Sequence, residues 1–560
     1  MNYEEGPGGQ RNYTEEDPEE RRKRREQKRQ QEMAARRKKV RLLKLGLAGA
    51  GVLLIVILAC VGIGRAVSGK GEDSLLTAGR DQAQQSGQEG ADGQGLQAAA
   101  EIGAQEGAGS ADAQTGEGAQ AGDGEDLSGG GQGEGAEGAA AAAQTGDPVS
   151  RAKLLAAGYD YDGAIALLSG DDSEEARALV SQWESDKDSL VAADVTTIPH
   201  VFFHSLINDD RAFMADLVGA DRVRQNNAAM TTTVEFDAMI EDMYEAGYVL
   251  VGLDDMCVKT TGSDGTVLVS PNNSLMLPPD KKPFVLSVDD LSYYHSYGIG
   301  TQGYATKMVV DEDGRPKCVY TDPDGNTTVG DYDVVPRLDT FIREHPDFSY
   351  RGARGTVAMT GYNGVFGYRT NDYYKDINDP HLDLDQIQWL QEHPDFDWEQ
   401  DCRDAKAVAD AMKAEGWTFA SHTYGHLNAE SSDLERLMAD NERWKTVNVP
   451  VLGETDKIIF AFGADIGIVG AYTADNAKFR YFKDQGYNIF CNVDGNIGWT
   501  EFGDTFMRTG RVALDGFTMY QAMTEGAVVH SVYSADYETL GISGISSFFN
   551  QYRPTPIDSE

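Results

Sequence analysis

The sequence predicts an α/β fold over residues 195–560, a barrel or doubly wound sheet of parallel strands, and three observations lead there. The first is a repeated rhythm of helix, glycine and strand. Phe236, Met239, Ile240 and Met243 fall at i, i+3, i+4 and i+7, Gly247 follows, and Tyr248 to Val251 reads as a strand. Val408, Ala411 and Met412 repeat the pattern before Gly416 and the strand Trp417 to Ala420, as do Phe479 and Phe482 before Gly486 and Tyr487 to Cys491. Glycine just past the last helical turn is the expected stop, and helix alternating with strand implies parallel β/α units. The second is Phe284 to Tyr294, FVLSVDDLSYY, an apolar run that ends at two adjacent carboxylates, Asp289 and Asp290. Parallel strands buried on both faces read as continuous apolar runs, and reactive groups collect where they end. The third is His422-Thr423-Tyr424-Gly425-His426, directly after the strand Trp417 to Ala420.

Taken from the N-terminus, the chain is not all of this kind. It has 560 residues and a net charge of -42, which argues against nucleic acid as a partner, since that needs clustered Lys and Arg. Residues 1–44 form a basic arm whose stretch 21–44 carries thirteen basic residues against Glu26 and Glu32. It abuts the uncharged apolar run 45–64. Twenty helical residues span roughly 30 Å, the thickness of a bilayer core. The expected topology is a single-pass membrane protein with the basic arm in the cytoplasm and everything after Arg65 outside. Ile57-Leu58-Ala59-Cys60 also loosely resembles a lipoprotein cleavage box.

Residues 65–148 are Gly, Ala, Gln, Asp and Glu with hardly an aromatic or β-branched side chain, so they cannot bury enough surface to offset chain entropy. A disordered tether of about eighty residues with a mean reach of roughly 50 Å is expected. Residues 149–190 carry helical spacing and predict two or three short helices, a stalk or packing collar. Within 195–560, the segments Asp311 to Asp333 and Tyr362 to Asp379 are rich in Gly, Asp and Tyr and read as hairpins and loops over one face. Their DEDG and DPDG stretches are hairpin turns without the closing Glu of a calcium loop. Five cysteines lack CxxC spacing, which excludes zinc-finger and redox readings; the four beyond Cys60 face an oxidising exterior and could pair.

Two imidazoles four residues apart at a strand end can reach one metal ion if the chain turns between them, and Gly425 permits a turn. Joined by a carboxylate from Asp289-Asp290, they make the set of two histidines and one acid that leaves positions open for water and substrate.

These motifs resemble the polysaccharide deacetylases of the NodB-homology type, carbohydrate esterase family 4. Ser287-Val288-Asp289-Asp290 is similar to the family's T-F-D-D, His422 to His426 matches H-[S/T]-x-x-H, and Ile198-Pro199-His200-Val201-Phe202-Phe203-His204 is similar to its opening P-V-L-M-Y-H strand. The resemblance covers roughly residues 196–515 and implies a distorted (β/α) barrel. It also implies a divalent metal, zinc first, held by Asp290, His422 and His426, with Asp289 as general base. The oxyanion would lie against a backbone N–H near Phe462 and Gly463. The family's third motif should fall at Phe460-Ala461-Phe462-Gly463, but Ile459 stands where its arginine would be. No guanidinium from that position can orient Asp289. In the circularly permuted poly-N-acetylglucosamine deacetylase branch the third motif likewise lacks arginine and the acid histidine comes from the opening strand. That makes His204 the preferred general acid and His530, in Val528-Val529-His530, the second choice. Tyr293, Tyr294, Tyr424, Phe462 and Trp499 are candidate sugar-stacking residues, and Arg511 is a candidate for the pocket. The implied activity is removal of N-acetyl groups from a cell-surface amino-sugar polymer, peptidoglycan or poly-N-acetylglucosamine. O-acetyl esterase and a catalytically silent glycan binder are the alternatives.

Overall fold

The computed structural model describes residues 147–295, 302–467, 472–494, 496–524, 535–549 and 553. The chain divides into two units, Met1–Gly90 and Ala91–Glu560, and every described residue belongs to the second. The basic arm, the apolar run 45–64, nearly all of the tether and His530 lie outside the described residues. Among the described residues no helix is long and apolar enough to cross a membrane.

Seven parallel strands close into a barrel: β1 (His200–Phe203), β2 (Lys282–Asp289), β3 (Thr356–Met359), β4 (Thr418–Ser421), β5 (Lys457–Ile459), β6 (Ile489–Val493) and β7 (Phe506–Ala513). The order around the wall is β3-β4-β5-β6-β7-β1-β2, and β2 pairs back onto β3 through Ser287, Val288 and Asp289. The expected barrel is therefore the observed one, with a short strand, Tyr248–Leu250, added beside the start of β2. Strand limits moved: Trp417 precedes β4 and sends its indole N–H to Asp339, and β6 begins two residues after Tyr487.

Both faces of the wall are covered, which is why Phe284 to Leu286 reads as unbroken apolar sequence. Outside, Phe284, Leu286 and Val288 of β2 pack with Phe236, Met239, Ile240 and Met243 of the helix Thr233–Glu245, and with Val408 and Met412 of Trp398–Glu415. Inside, Val285, Ala358, Ala420, Ile459, Ile489, Cys491 and Met507 fill the lower barrel. The glycines that follow the three predicted helices, Gly247, Gly416 and Gly486, have φ of 83°, 107° and 96°, the left-handed backbone that stops a helix.

The collar forms three helices, Pro148–Ala157, Tyr161–Leu168 and Glu174–Asp188, around Ala152, Ala164, Leu168, Ala176 and Trp183. It docks at the end of the barrel where strands begin: the Tyr159 hydroxyl donates to the Asp347 carbonyl and the Arg351 N–H to the Gly158 carbonyl, each at 2.7 Å. The segment 311–333 is a hairpin pair, Lys307–Val310, Pro316–Thr321 and Thr327–Gly330. The four cysteines beyond Cys60, Cys257, Cys318, Cys402 and Cys491, are unpaired.

One core carboxylate ties the loop after β1 to the helix Val334–Glu344. Asp333 accepts from the Leu206 N–H at 3.0 Å, the Val334 N–H at 2.8 Å and the Tyr293 hydroxyl at 2.7 Å. These donors are neutral, so burial dominates and pushes Asp333 up to about 6. The folded state thus holds this proton more tightly than the unfolded chain. Its contribution to stability is complete below the unfolded value near 4 and is lost as pH rises through 6. Asp333→Asn should flatten the fall in melting temperature between pH 4.5 and 7; an unchanged pH slope in the variant would show that Asp333 stays ionised.

Candidate active site

The reactive side chains gather at the barrel mouth, where strands end. Alternation along β2 turns Val285, Ser287 and Asp289 inward, and the register sets His200 and Phe202 of β1 beside Val285 and Ser287, with His204 just past the end of β1 and Arg511 on β7. The Arg511 guanidinium grips Asp289 through both oxygens, Nη1 to Oδ1 at 2.7 Å and Nη2 to Oδ2 at 2.9 Å. It also donates to Ser287 Oγ at 3.1 Å and lies over the Phe202 ring at 4.1 Å. Both partners of this pair are sealed, Arg511 1% and Asp289 4% exposed at their side chains. Burial would raise the Asp289 pKa, but the Arg511 charge and its hydrogen bonds outweigh burial and hold it at about 2.

Asp290 turns the other way because its backbone is left-handed, φ 61°. Its Oδ1 accepts from the Tyr294 hydroxyl at 2.6 Å, which leaves Oδ2 facing His426 Nε2 at 3.4 Å. His422 donates from Nδ1 to the Ile459 carbonyl at 2.7 Å, so the bare Nε2 points to the mouth, 3.8 Å from Asp289 Oδ2. A carbonyl on the far nitrogen fixes ring and tautomer, the usual support of a metal-binding histidine. Asp290, His422 and His426 can each offer one donor atom such that all three lie within 4.8 Å of one another. Around one tetrahedral ion with bonds of about 2.1 Å, donors stand roughly 3.4 Å apart, the spacing already found for Asp290 and His426. Burial outweighs Asp290 in setting His426, which is lowered to about 4 and is therefore neutral, as a metal ligand must be. The donor set fits a divalent cation.

The turn between the histidines is not made as the sequence suggests. Thr423 and His426 take positive φ, 61° and 53°, and Gly425 does not. Gly425 instead lies close to a side chain: a Cβ there would come within 3.1 Å of Asp440 Oδ2, which would have to shift by a few tenths of an ångström. That carboxylate, from the helix Leu434–Val447, accepts the Tyr424 and Gly425 N–H groups at 2.8 Å each and pins the loop. Phe462, its ring edge-on to His426 at 4.3 Å, also has positive φ, 61°. Five of the eight described non-glycine residues with positive φ (Asp290, Tyr293, Thr423, His426 and Phe462) belong to these three loops. Such conformations cost roughly 1–3 kcal/mol each and concentrate where geometry matters more than stability.

The remaining candidates divide. His204 is half-buried just past the end of β1, its ring edge-on to Phe202 at 5.8 Å. Gly463 donates its N–H to the Phe460 carbonyl at 3.1 Å, so that amide is already engaged. Tyr293 is turned into the core, its hydroxyl on Asp333, and lines no mouth. Tyr424 packs behind its loop with its hydroxyl accepting from Arg443 at 3.2 Å, and Trp499 lies 5.2 Å from the Arg508 guanidinium. Tyr294 stacks on Tyr362 at 5.2 Å and serves Asp290 rather than presenting a face. Sequence reading passed over Asp440, named Ser287 within the Asp289-Asp290 motif without giving it a role, and placed Arg511 near the pocket without seeing its partner. The inward alternation of Met507, Thr509 and Arg511 along β7 was the available signal.

No protein-family model matches this sequence, and no curated protein does. A solved structure that matches is "Streptococcus pyogenes deacetylase PplD in complex with acetate", at 11% identity over 57% of this chain and 94% of that one, with a TM-score of 0.29. A likeness at that score bears no weight, and the reading of function rests on the side chains at the barrel mouth.

Proposed function

We propose that this chain is a metal-dependent deacetylase. It hydrolyses N-acetyl groups of a cell-surface amino-sugar polymer, peptidoglycan or poly-N-acetylglucosamine, with 45–64 as its membrane anchor and the barrel outside. One observation carries the reading: Asp290, His422 and His426 converge beside a second carboxylate, Asp289, that is locked by Arg511.

Asp290, His422 and His426 would hold the cation, zinc first. Bound there, a divalent cation lowers the pKa of water toward neutrality and polarises an acyl carbonyl. Asp289, its Oδ2 3.8 Å from His422 Nε2, would take the proton of the attacking water. A carboxylate held at about 2 is a feeble base for ordinary water, so it can serve only where the water is already acidified. Such a base has to adjoin the cation site, and the Asp289 Oδ2 to His422 Nε2 spacing of 3.8 Å supports that. The Phe462 N–H is the remaining candidate for the oxyanion, since the Gly463 N–H is engaged. His204 would deliver a proton to the departing amine, and His530 is the other candidate for that step.

A silent glycan-binding relative was an alternative because Ile459 replaces the expected arginine. Arg511 supplies a guanidinium to the same carboxylate from another strand, which favours the enzyme. O-acetyl esterase activity would use the same groups, and the leaving group separates the two. His204→Ala should lower kcat on acetylated chitooligomers by about 10²-fold or more, because an amine leaves only when protonated. It should change turnover of an aryl acetate less than tenfold. The reading is tested on full-length protein with zinc or cobalt: acetate released from N-acetyl chitooligomers is expected. Release from O-acetyl xylan alone would make it an esterase, and glycan binding without release would make it a binder.

A further inference from the structure

Beneath the Asp289–Arg511 pair lies a histidine to which the reaction gives no part. His200 of β1 is 1% exposed inside the barrel, and its Nε2 is 3.0 Å from Ser287 Oγ. Ser287 Oγ in turn receives Arg511 Nη1 at 3.1 Å, and Arg511 holds both oxygens of Asp289. The ladder His200, Ser287, Arg511, Asp289 thus runs up the barrel axis from apolar floor to mouth.

Proton counting sets its direction. Arg511 can only donate, so it occupies a lone pair on Ser287 Oγ. If His200 Nε2 also donated, the Ser287 hydroxyl hydrogen would need a third partner, and among the described residues that oxygen makes no other hydrogen bond. If the hydroxyl donates to a bare Nε2, each atom has one role, and the His200 proton sits on Nδ1. Burial, and then the Arg511 charge, lower the His200 pKa well below its usual value, so the ring is neutral and can accept. Nδ1 has no partner among the described residues, a cost that a phenylalanine at this position would avoid. The feature that phenylalanine lacks is the accepting Nε2.

We propose that His200 is a positioning residue for the Asp289–Arg511 pair: it accepts the Ser287 hydroxyl proton, which aims the Ser287 oxygen at the guanidinium and fixes its plane against the carboxylate. This rests on the deacetylase reading for its effect on turnover, but the hydrogen-bond direction stands apart from it.

The test uses the full chain with zinc and acetylated chitooligomers. H200F, which keeps the ring and removes both nitrogens, should lower kcat about tenfold with KM within twofold, and S287A should do the same. H200F/S287A should be no worse than the poorer single variant, since both break one ladder. H200Q, whose amide oxygen reaches the Nε2 position, should recover to within about threefold of the parent. Losses that multiply in the double variant, or H200Q as poor as H200F, would mean a merely structural histidine and overturn the proposal. If no variant and no parent releases acetate, the enzyme reading fails by itself, and nitrogen NMR of histidine-labelled protein still decides the ladder. A neutral Nδ1–H tautomer that is disturbed in S287A supports it; an Nε2–H tautomer, or no change in S287A, sinks it.

Discussion

Asp289→Asn is expected to lower kcat by about 10²- to 10⁴-fold, the usual worth of a positioned base, while zinc affinity stays within a few fold. The asparagine has the same shape but cannot take a proton, and the three metal donors are on other side chains. The same change has a second, separable effect. Arg511 is 1% exposed, and a neutral asparagine leaves its charge unpaired in the barrel. Breaking a buried pair from one side costs about 3–5 kcal/mol, so the variant should also melt several degrees lower. Kinetics at saturating zinc, together with zinc titration and thermal denaturation, check both. Near-parental turnover would remove Asp289 from the chemistry.

Arg511→Met attacks the pair from the other side. Asp289 would then sit in the sealed barrel with only histidines near it, and the loss of about 3–5 kcal/mol should recur. Turnover should fall about 10²-fold, because the carboxylate loses both contacts that fix its plane. Lysine should not rescue, since a single ammonium cannot make a fork. The decisive variant is Asp289→Asn with Arg511→Met: neither charge is left alone, so stability should return above either single change while activity stays at the Asp289→Asn level. Additive losses of stability would show that the two side chains do not act as a pair.

Much of the barrel was legible because its strands are buried on both faces and end in chemistry. FVLSVDD announces both facts in seven letters, and the spacing of His422 and His426 announces that their rings meet, as they do at 5.1 Å. Arg511 was less legible because its partner lies 222 residues earlier and only the closure of β7 onto β1 and β2 brings them together. Ile459 leaves the expected guanidinium position empty, yet the barrel fills the same role from a neighbouring wall. Tyr293 misled for a local reason: its left-handed backbone, φ 49°, turns a ring three residues beyond Asp290 away from the mouth and into Asp333. Asp440 was invisible because a carboxylate that pins two backbone amides has no spacing signature. Trp417 read as the first strand residue after Gly416, but its indole anchors a buried carboxylate one residue before pairing begins.

The central claim is that Asp290, His422 and His426 grip one cation. Zinc-edge X-ray absorption on the full chain with one equivalent of zinc measures that directly. The predicted result is two imidazole nitrogens and carboxylate or water oxygens at roughly 2.0–2.2 Å, with one imidazole lost in His426→Ala. A zinc shell without imidazole, or one unchanged in both His422→Ala and His426→Ala, would contradict it.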